Sequence, residues 1–259
     1  MTSEINNILY ILAPIGLEEM DNVKLMDRID TKFIFSASQV LDLLELMKER
    51  YRVLEVNGQR ISSYETTYLD TDDYLFFNQH ITGRNERSKV RFRKYSSTGI
   101  TFLEIKRKTK KQRTIKWRIE NNLDENCCDM QAKKFIDKYF TFSSELLKPV
   151  ITNSFIRITL VGIHRPERIT IDMDLSFTGN NGKSYSMPYV AIAELKSEGL
   201  AIKSPFSALI KRLSVYPSGF SKYCIGNSII YDVPRKNILK PTLLLINKIE
   251  NECNRSISA

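Results

Sequence analysis

With 259 residues, 42% hydrophobic and 27% charged, the chain has the make-up of a globular protein long enough to bury a core without disulfides. Its 39 Lys and Arg against 30 Asp and Glu leave a surplus of +9, which suits a polyanionic partner: nucleic acid, acidic lipid or a phosphate-rich small molecule. Four scattered cysteines, with Cys127 and Cys128 adjacent, and two histidines in expected loops, His80 and His164, offer no zinc spacing. Reduced thiols in a cytoplasmic protein are the expectation.

The apolar run "ILYILAPIGL" (Ile8 to Leu17) follows no Lys or Arg and contains Pro14, so residues 1–24 read as an N-terminal segment of unassigned role rather than a signal peptide. Period-2 alternation then predicts strands over Arg28–Phe35, Arg60–Leu69, Ser88–Tyr95, Thr101–Lys108, Arg113–Ile119, Asn153–Leu160, Arg168–Leu175 and Tyr189–Lys196. Asn57-Gly58, Thr98-Gly99 and the loop 178–184 supply turns, and the carboxylates Asp70, Asp72 and Asp73 read as a turn after the second strand. Helices are expected after Ser36 or Ser38 ("QVLDLLELMKERY"), over 130–140 and 144–150, after Ser204-Pro205, and over 237–253 with a kink or start at Pro241. "TLLLI" near the end is too short to span a bilayer. The expected organisation is one domain over 25–235, with 236–259 as a C-terminal helix packing on it.

Splitting the strands by parity gives the pattern that matters. Arg28, Asp30 and Lys32 oppose Ile29 and Phe33; Arg91 and Arg93 oppose Val90 and Phe92; Glu104, Lys106 and Lys108 oppose Leu103 and Ile105. Thr114, Lys116 and Arg118 oppose Ile115, Trp117 and Ile119; Arg157 opposes Ile156 and Ile158. Arg168, Asp172 and Asp174 oppose Ile169, Ile171 and Met173, and Glu194 and Lys196 oppose Ala193 and Leu195. A solvated sheet face would mix Ser, Thr, Asn and Gln with its charges, whereas here Arg, Lys, Asp and Glu dominate. If the amphipathic helices cover the apolar face, the charged face looks either to bulk water or into a barrel, and eight strands suffice to close one. Crowded cations repel by roughly 4 kcal/mol per pair at about 4 Å and an effective dielectric of about 20, so such a lumen needs counter-charges and a bound polyanion. In the basic run 106–113, Arg107, Lys110 and Lys111 are expected in solvent at its mouth.

The ordered segments "KVRFRKY", "TFLEIKRK", "RTIKWRI", "SFIRI", "RITIDMDL", "AIAELKSEG" and "SGFSKY" resemble the catalytic domain of the vacuolar transporter chaperone (VTC) family, polyphosphate polymerases among the triphosphate tunnel metalloenzymes. The resemblance spans Arg28 to Tyr223 and is nearest to compact bacterial members. It implies an α+β fold: an eight-stranded antiparallel β-barrel tunnel with a charged interior and helices over its outer face. It implies catalytic roles for Arg91, Arg93, Lys106, Arg157 and Arg168, and phosphate binding by Lys32, Lys116, Arg118, Ser221 and Lys222. A divalent cation, Mn²⁺ or Mg²⁺, is implied at Glu194, with Glu104 either a second ligand or the group that orients a lysine. The implied partners are ATP and polyphosphate, and a membrane-protein partner is left open. Hydrolysis with water as acceptor, or polyphosphate binding without chemistry, would use the same cage. Nucleic acid is not expected, since Tyr95 and Phe155 are the few aromatics interleaved with the cations. Two departures stand out: the first strand reads Arg28-x-Asp30-x-Lys32 instead of E-x-E-x-K, and Phe155 occupies the place of a tyrosine.

Overall fold

The alternating segments form one curved antiparallel sheet in the computed structural model, which describes residues 2–22, 28–111, 113–121 and 129–257. The strands are β1 (Pro14–Ile15), β2 (Arg28–Ser36), β3 (Tyr51–Leu54), β4 (Ser62–Asp70), β5 (Arg87–Tyr95), β6 (Ile100–Lys108), β7 (Thr114–Glu120), β8 (Lys148–Gly162), β9 (Glu167–Gly179), β10 (Ser184–Met187) and β11 (Val190–Glu198). The helices are α1 (Thr2–Ile11), α2 (Leu17–Asn22), α3 (Val40–Met47), α4 (Leu75–Ile81), α5 (Met130–Asp137), α6 (Pro205–Lys211), α7 (Lys222–Ile230) and α8 (Lys240–Ile257).

Eight strands run in the order β2-β11-β9-β8-β4-β5-β6-β7, and all eight correspond to segments expected from the alternation. The sheet differs from a closed eight-stranded barrel in two ways. It has 11 strands, because β1 pairs in parallel with β3, β3 joins β8 and β10 joins β9. It also stays open: among the described residues, no ladder joins β2 to β7. β7 carries charged or polar side chains at alternate positions and is largely exposed, the character of an edge strand rather than a central one.

The apolar faces bury outward, against helices, so the core surrounds the sheet. On one side Phe33, Phe35, Ile158, Leu160, Ile169, Ile171, Ala193 and Leu195 pack with α1, α3 and α6 into one cluster. α1 contributes Ile5, Ile8 and Leu9, and Leu12 follows it into the same cluster, so the N-terminal run serves as core. On the other side Val90, Phe92, Leu103 and Ile105 meet α4 and α5. The same cluster continues through Ile225 and Ile230 of α7 and Ile246 and Ile249 of α8. α7 approaches closely because Gly226 has no side chain: a Cβ there would lie 2.5 Å from Phe177 and 2.8 Å from Ile151. Among the described residues, no helix is long and apolar enough to cross a membrane.

Several local expectations change. Residues 144–150 form a 3₁₀ turn at Ser144–Leu146 and then enter the 15-residue β8, whose pairing with β4 absorbs Pro149 at a register shift beside Leu69. The stretch 64–77 leads from β4 into α4, so His80 lies on a helix and not in a loop. Its Nε2–H donates to the Ser88 carbonyl at 3.2 Å; burial, with Lys89 and Arg87 nearby, brings the imidazole down to about 2 and keeps it neutral. Arg107 turns outward and pairs with Glu86, while Lys110 and Lys111 are exposed. Cys224 and Cys253 are free thiols, and Cys127 and Cys128 fall outside the described residues.

Asp70 explains why α4 and α7 sit where they do. Tyr74, which precedes α4, has left-handed backbone and gives no side-chain cap. The first-turn amides of Phe76 and Phe77 instead donate to the Asp70 carboxylate at 2.8 and 2.9 Å, as does Thr71 N–H, and Tyr223 of α7 donates its hydroxyl to the same group. One fully buried carboxylate thus caps one helix and anchors another. Asp70→Ala is expected to destabilise the fold by about 3 kcal/mol, because buried amides and a hydroxyl lose their acceptor. Urea unfolding checks this; a loss below about 1 kcal/mol would mean the anchor is incidental.

Candidate functional site

Register converts the parity pattern into a ring of facing charges. Arg91 lies opposite Glu104, and Glu104 opposite Arg118. Lys106 lies between Lys89 and Lys116. Across the sheet, Arg157 faces Asp172, Lys32 faces Glu194, and Lys196 is flanked by Asp30 and Arg168. Every site residue expected from the sequence on β2, β5, β6, β7, β8, β9 and β11 therefore falls on the concave face. Ser221 and Lys222 join it from the start of α7, which enters one end of the lumen.

Three carboxylates organise the cations. Glu104 accepts from Arg91 through Nε at 2.8 Å and Nη2 at 2.7 Å, while Lys116 Nζ lies 2.5 Å from its other oxygen and Arg93 reaches it at 4.0 Å. Burial alone would raise this carboxyl; Arg91, Arg93 and Lys116 outweigh burial and hold it at about 2. Asp172 receives the fork of Arg157, with Nε at 2.5 Å and Nη2 at 2.8 Å, and also the ammonium of Lys222. Against a burial penalty, these two cations keep its carboxyl well below the ordinary range. Glu194 pairs with Lys196 at 2.8 Å, and Lys196 lies 3.4 Å from Asp30. Burial opposes ionisation here too, but Lys196, Lys32 and Arg157 bring Glu194 down to about 2.

Other cations are held by neutral groups. Lys32 donates to the Phe220 carbonyl at 2.7 Å, Lys89 to Ser221 Oγ at 3.1 Å, and Arg93 Nε to Thr66 Oγ1 at 3.3 Å. Ser221 also caps α7 by accepting from Cys224 N–H. Burial, reinforced by Lys32, Arg91 and Arg87, lowers the Lys89 ammonium to about 8. Lys106 is solvent-accessible within the lumen, yet enclosure and Lys89 bring it to about 8 as well. These groups lie where an anion would relieve the most repulsion.

Aromatic rings share the concave face with the cations. Tyr64 stacks on Phe155 with centroids 5.2 Å apart and meets Tyr95 edge-on at 5.1 Å; Tyr95 meets Phe102 edge-on at 5.7 Å. Arg157 lies over both Tyr64 and Phe155, and Arg118 over Phe102. Phe155, in the tyrosine's place, thus acts as a platform for cations. Lys89, Asp172, Asp30 and Lys196 are site residues that the family resemblance does not name, although all share the parity of residues that it does. Asp174 breaks the pattern: the register shift between Ser154 and Ile156 puts it in left-handed backbone, exposed.

The carboxylates differ in their fit to a divalent cation. Among the described residues no three His, Cys, Asp or Glu side chains cluster. Glu104 has both oxygens engaged by cations and is 1% exposed. Glu194, 22% exposed, has one oxygen engaged by Lys196, with Asp30 on the far side of that lysine. One or two carboxylates completed by phosphate oxygens and water is the donor set Mg²⁺ and Mn²⁺ commonly take alongside phosphates, and Glu194 fits it.

The lysine shifts give a measurable sign. Lys89 sits at about 8 in the fold against 10.5 for a free lysine, so between those values the folded protein carries less positive charge than the unfolded chain and its stability rises with pH. An anion beside Lys89 reverses the shift and draws a proton on. Titration calorimetry with inorganic tripolyphosphate at pH 8.5, in two buffers of different ionisation heat, is expected to show net proton uptake that shrinks in Lys89→Met. Zero uptake in the wild type would remove Lys89 from the binding face.

Comparison with known proteins agrees with this geometry. The fold is similar to that of HpAC1 from Hippeastrum, assigned as an adenylyl cyclase, with a TM-score of 0.50 and 12% identity over 82% of this chain and 99% of that one. A Vibrio parahaemolyticus protein assigned as an adenylate cyclase gives 0.47 and 12%, over 78% and 99%. At such identities the likeness concerns the fold alone. No curated protein sequence matches the chain. Residues 27–231, which hold the whole ring of charges, match the VTC domain, and the chain belongs to the VTC domain family.

Proposed function

We propose that the protein is a metal-dependent polyphosphate polymerase that transfers the γ-phosphate of ATP to a growing polyphosphate chain inside the tunnel. The observation that carries this reading is the surplus of enclosed cations over carboxylates: Lys32, Lys89, Arg93 and Lys106 keep donors for an anion after Glu104, Asp172 and Glu194 are satisfied. On β5, Arg87, Lys89, Arg91 and Arg93 form a row roughly 20 Å long at strand rise, room for more than one triphosphate. Membership of the VTC domain family supports the same class of substrate.

Phosphoryl transfer demands positioning and charge neutralisation more than covalent participation by the protein. Arg93 and Arg157 offer planar forks to non-bridging oxygens, and Lys89 and Lys106 act as movable point charges. An ionised terminal oxygen of the chain attacks the γ-phosphorus in line, the bond to the β–γ bridging oxygen breaks, and ADP leaves with that electron pair. The acceptor is already ionised, so no side chain has to remove a proton. Glu194 would hold Mn²⁺ or Mg²⁺, which would supply positive charge against the charge that develops on the transferring phosphoryl group. Glu104 and Asp172 keep Arg91, Arg157, Lys116 and Lys222 in place while substrate moves.

Hydrolysis of a triphosphate by the same cage is the second reading. It is favoured by HpAC1, which shares the fold and has a dominant triphosphatase activity. Incubation of the purified protein with ATP and Mn²⁺, resolved on a gel stained for polyphosphate, separates them. Long chains are expected from the wild type, with Arg93→Ala slower by about 10²-fold or more and Glu194→Ala losing metal dependence. Free phosphate without chains would assign a triphosphatase, and absence of turnover with tight polyphosphate binding would leave a binding module.

A further inference from the structure

We infer that the protein carries a second ligand site, outside the lumen, that takes a small aromatic anion: an aryl phosphate or aryl carboxylate. It is a cavity of about 590 Å³, lined by residues of α4, of the turn into β5, of the β5–β6 pair and of the segment 139–142 that follows α5. That volume lies in the range of small-molecule sites. The inference does not depend on what the lumen does with its substrate.

Register puts this cavity behind the tunnel wall. Ser88 and Arg107 line it and are paired across β5 and β6, and the next pair along is Lys89 and Lys106, which face the lumen. Side chains alternate along a strand, so the two pairs lie on opposite faces of the sheet. None of its lining residues lines the cavity that contains Arg157, Arg168 and Lys196. α4 grips β5 at this point: Gln79 Oε1 accepts from the Ser88 amide at 3.1 Å, and His80 donates to the Ser88 carbonyl at 3.2 Å. The cavity is therefore built on hydrogen-bonded elements.

Its chemistry specifies the ligand. Three cations line it, Arg84, Arg107 and Lys110, against one carboxylate, Glu86. Glu86 is engaged by Arg107, whose Nε lies 3.1 Å away. Arg84 and Lys110 are exposed and have no side-chain partner among the described residues. The same cavity is lined by Phe76, Phe140 and Phe142, whose ring centroids are 5.0 to 6.1 Å from one another. Phe140 and Phe142 are only half-buried, so the cluster keeps open ring surface. An inorganic anion leaves those rings in water, a neutral aromatic leaves two cations uncompensated, and a cation meets a surplus of like charge. A ligand with a flat apolar body and an anionic group answers both features.

The test uses 1-naphthyl phosphate as probe, compared by titration calorimetry with inorganic phosphate and with 1-naphthol. The wild type is expected to bind the probe about tenfold or more tightly than either comparison compound. The double variant Arg84→Ala, Lys110→Ala should weaken the probe by about tenfold or more, and Phe142→Ala by a similar factor. Arg84 and Lys110 are exposed, so the double variant decides if Phe142→Ala fails to fold by circular dichroism. Arg93→Ala, on the lumen face, should bind the probe as the wild type does. A probe no tighter than phosphate or naphthol, one unmoved by the double variant, or one lost in Arg93→Ala would overturn the outer site.

Discussion

Repulsion among enclosed cations is the constraint to which the rest of the molecule answers. A lumen with Arg91, Arg93, Arg157, Lys89, Lys106 and Lys222 on one concave surface would not hold its shape unaided, since each near pair costs several kcal/mol at the effective dielectric of a protein interior. Glu104, Asp172 and Glu194 offset that repulsion, and each does so for particular partners. Glu104 ties β5 to β7 across β6, Asp172 ties β8 to α7, and Glu194 holds Lys196 on its own strand. The compensation is incomplete: Lys89 and Lys106 remain near 8, poised to gain a proton when an anion arrives.

That arrangement inverts the common layout of a sheet protein. Most apolar side chains point outward into two helix-covered clusters and the charged ones inward, except beside α7, where Ile34, Tyr68, Phe155 and Ile192 on the charged face join one of those clusters. The outer layers therefore carry the stability, which frees the lumen to be electrostatically unfavourable without substrate. Two further pieces attach to the barrel. α7 is seated by Gly226 and by the Tyr223–Asp70 bond, while Leu17 and Met20 of the N-terminal segment line a cavity with Arg157, Arg168 and Lys196. The open seam between β2 and β7 leaves Lys116 and Arg118 on a solvent-facing edge, where the lumen meets water.

Much of this could be read from residue order, because a strand has a period of two and nothing in a regular strand can change which face a residue takes. Arg91, Arg93, Glu104, Lys106, Lys116 and Arg118 obey that rule, and the register across β5, β6 and β7 leaves them together. The rule fails where regularity fails. Asp174 leaves the face at a bulge, because an extra residue reverses the parity of every later position in the strand. α4 escapes the pattern because its cap comes from Asp70, outside the helix, and α7 because it is buried nearly all round and so lacks an amphipathic stripe.

By itself, the sequence determined the strands, their charged face and the identity of most cations, since these depend on local alternation alone. Tertiary structure decided which charges meet. Arg157, Asp172 and Lys222 come from three elements, and only strand register and the seating of α7 bring them within one hydrogen-bonded cluster. It also decided that no ladder joins β2 to β7 among the described residues, and that an apolar N-terminal run forms core. Those outcomes depend on contacts between segments far apart in the chain, which no local pattern encodes.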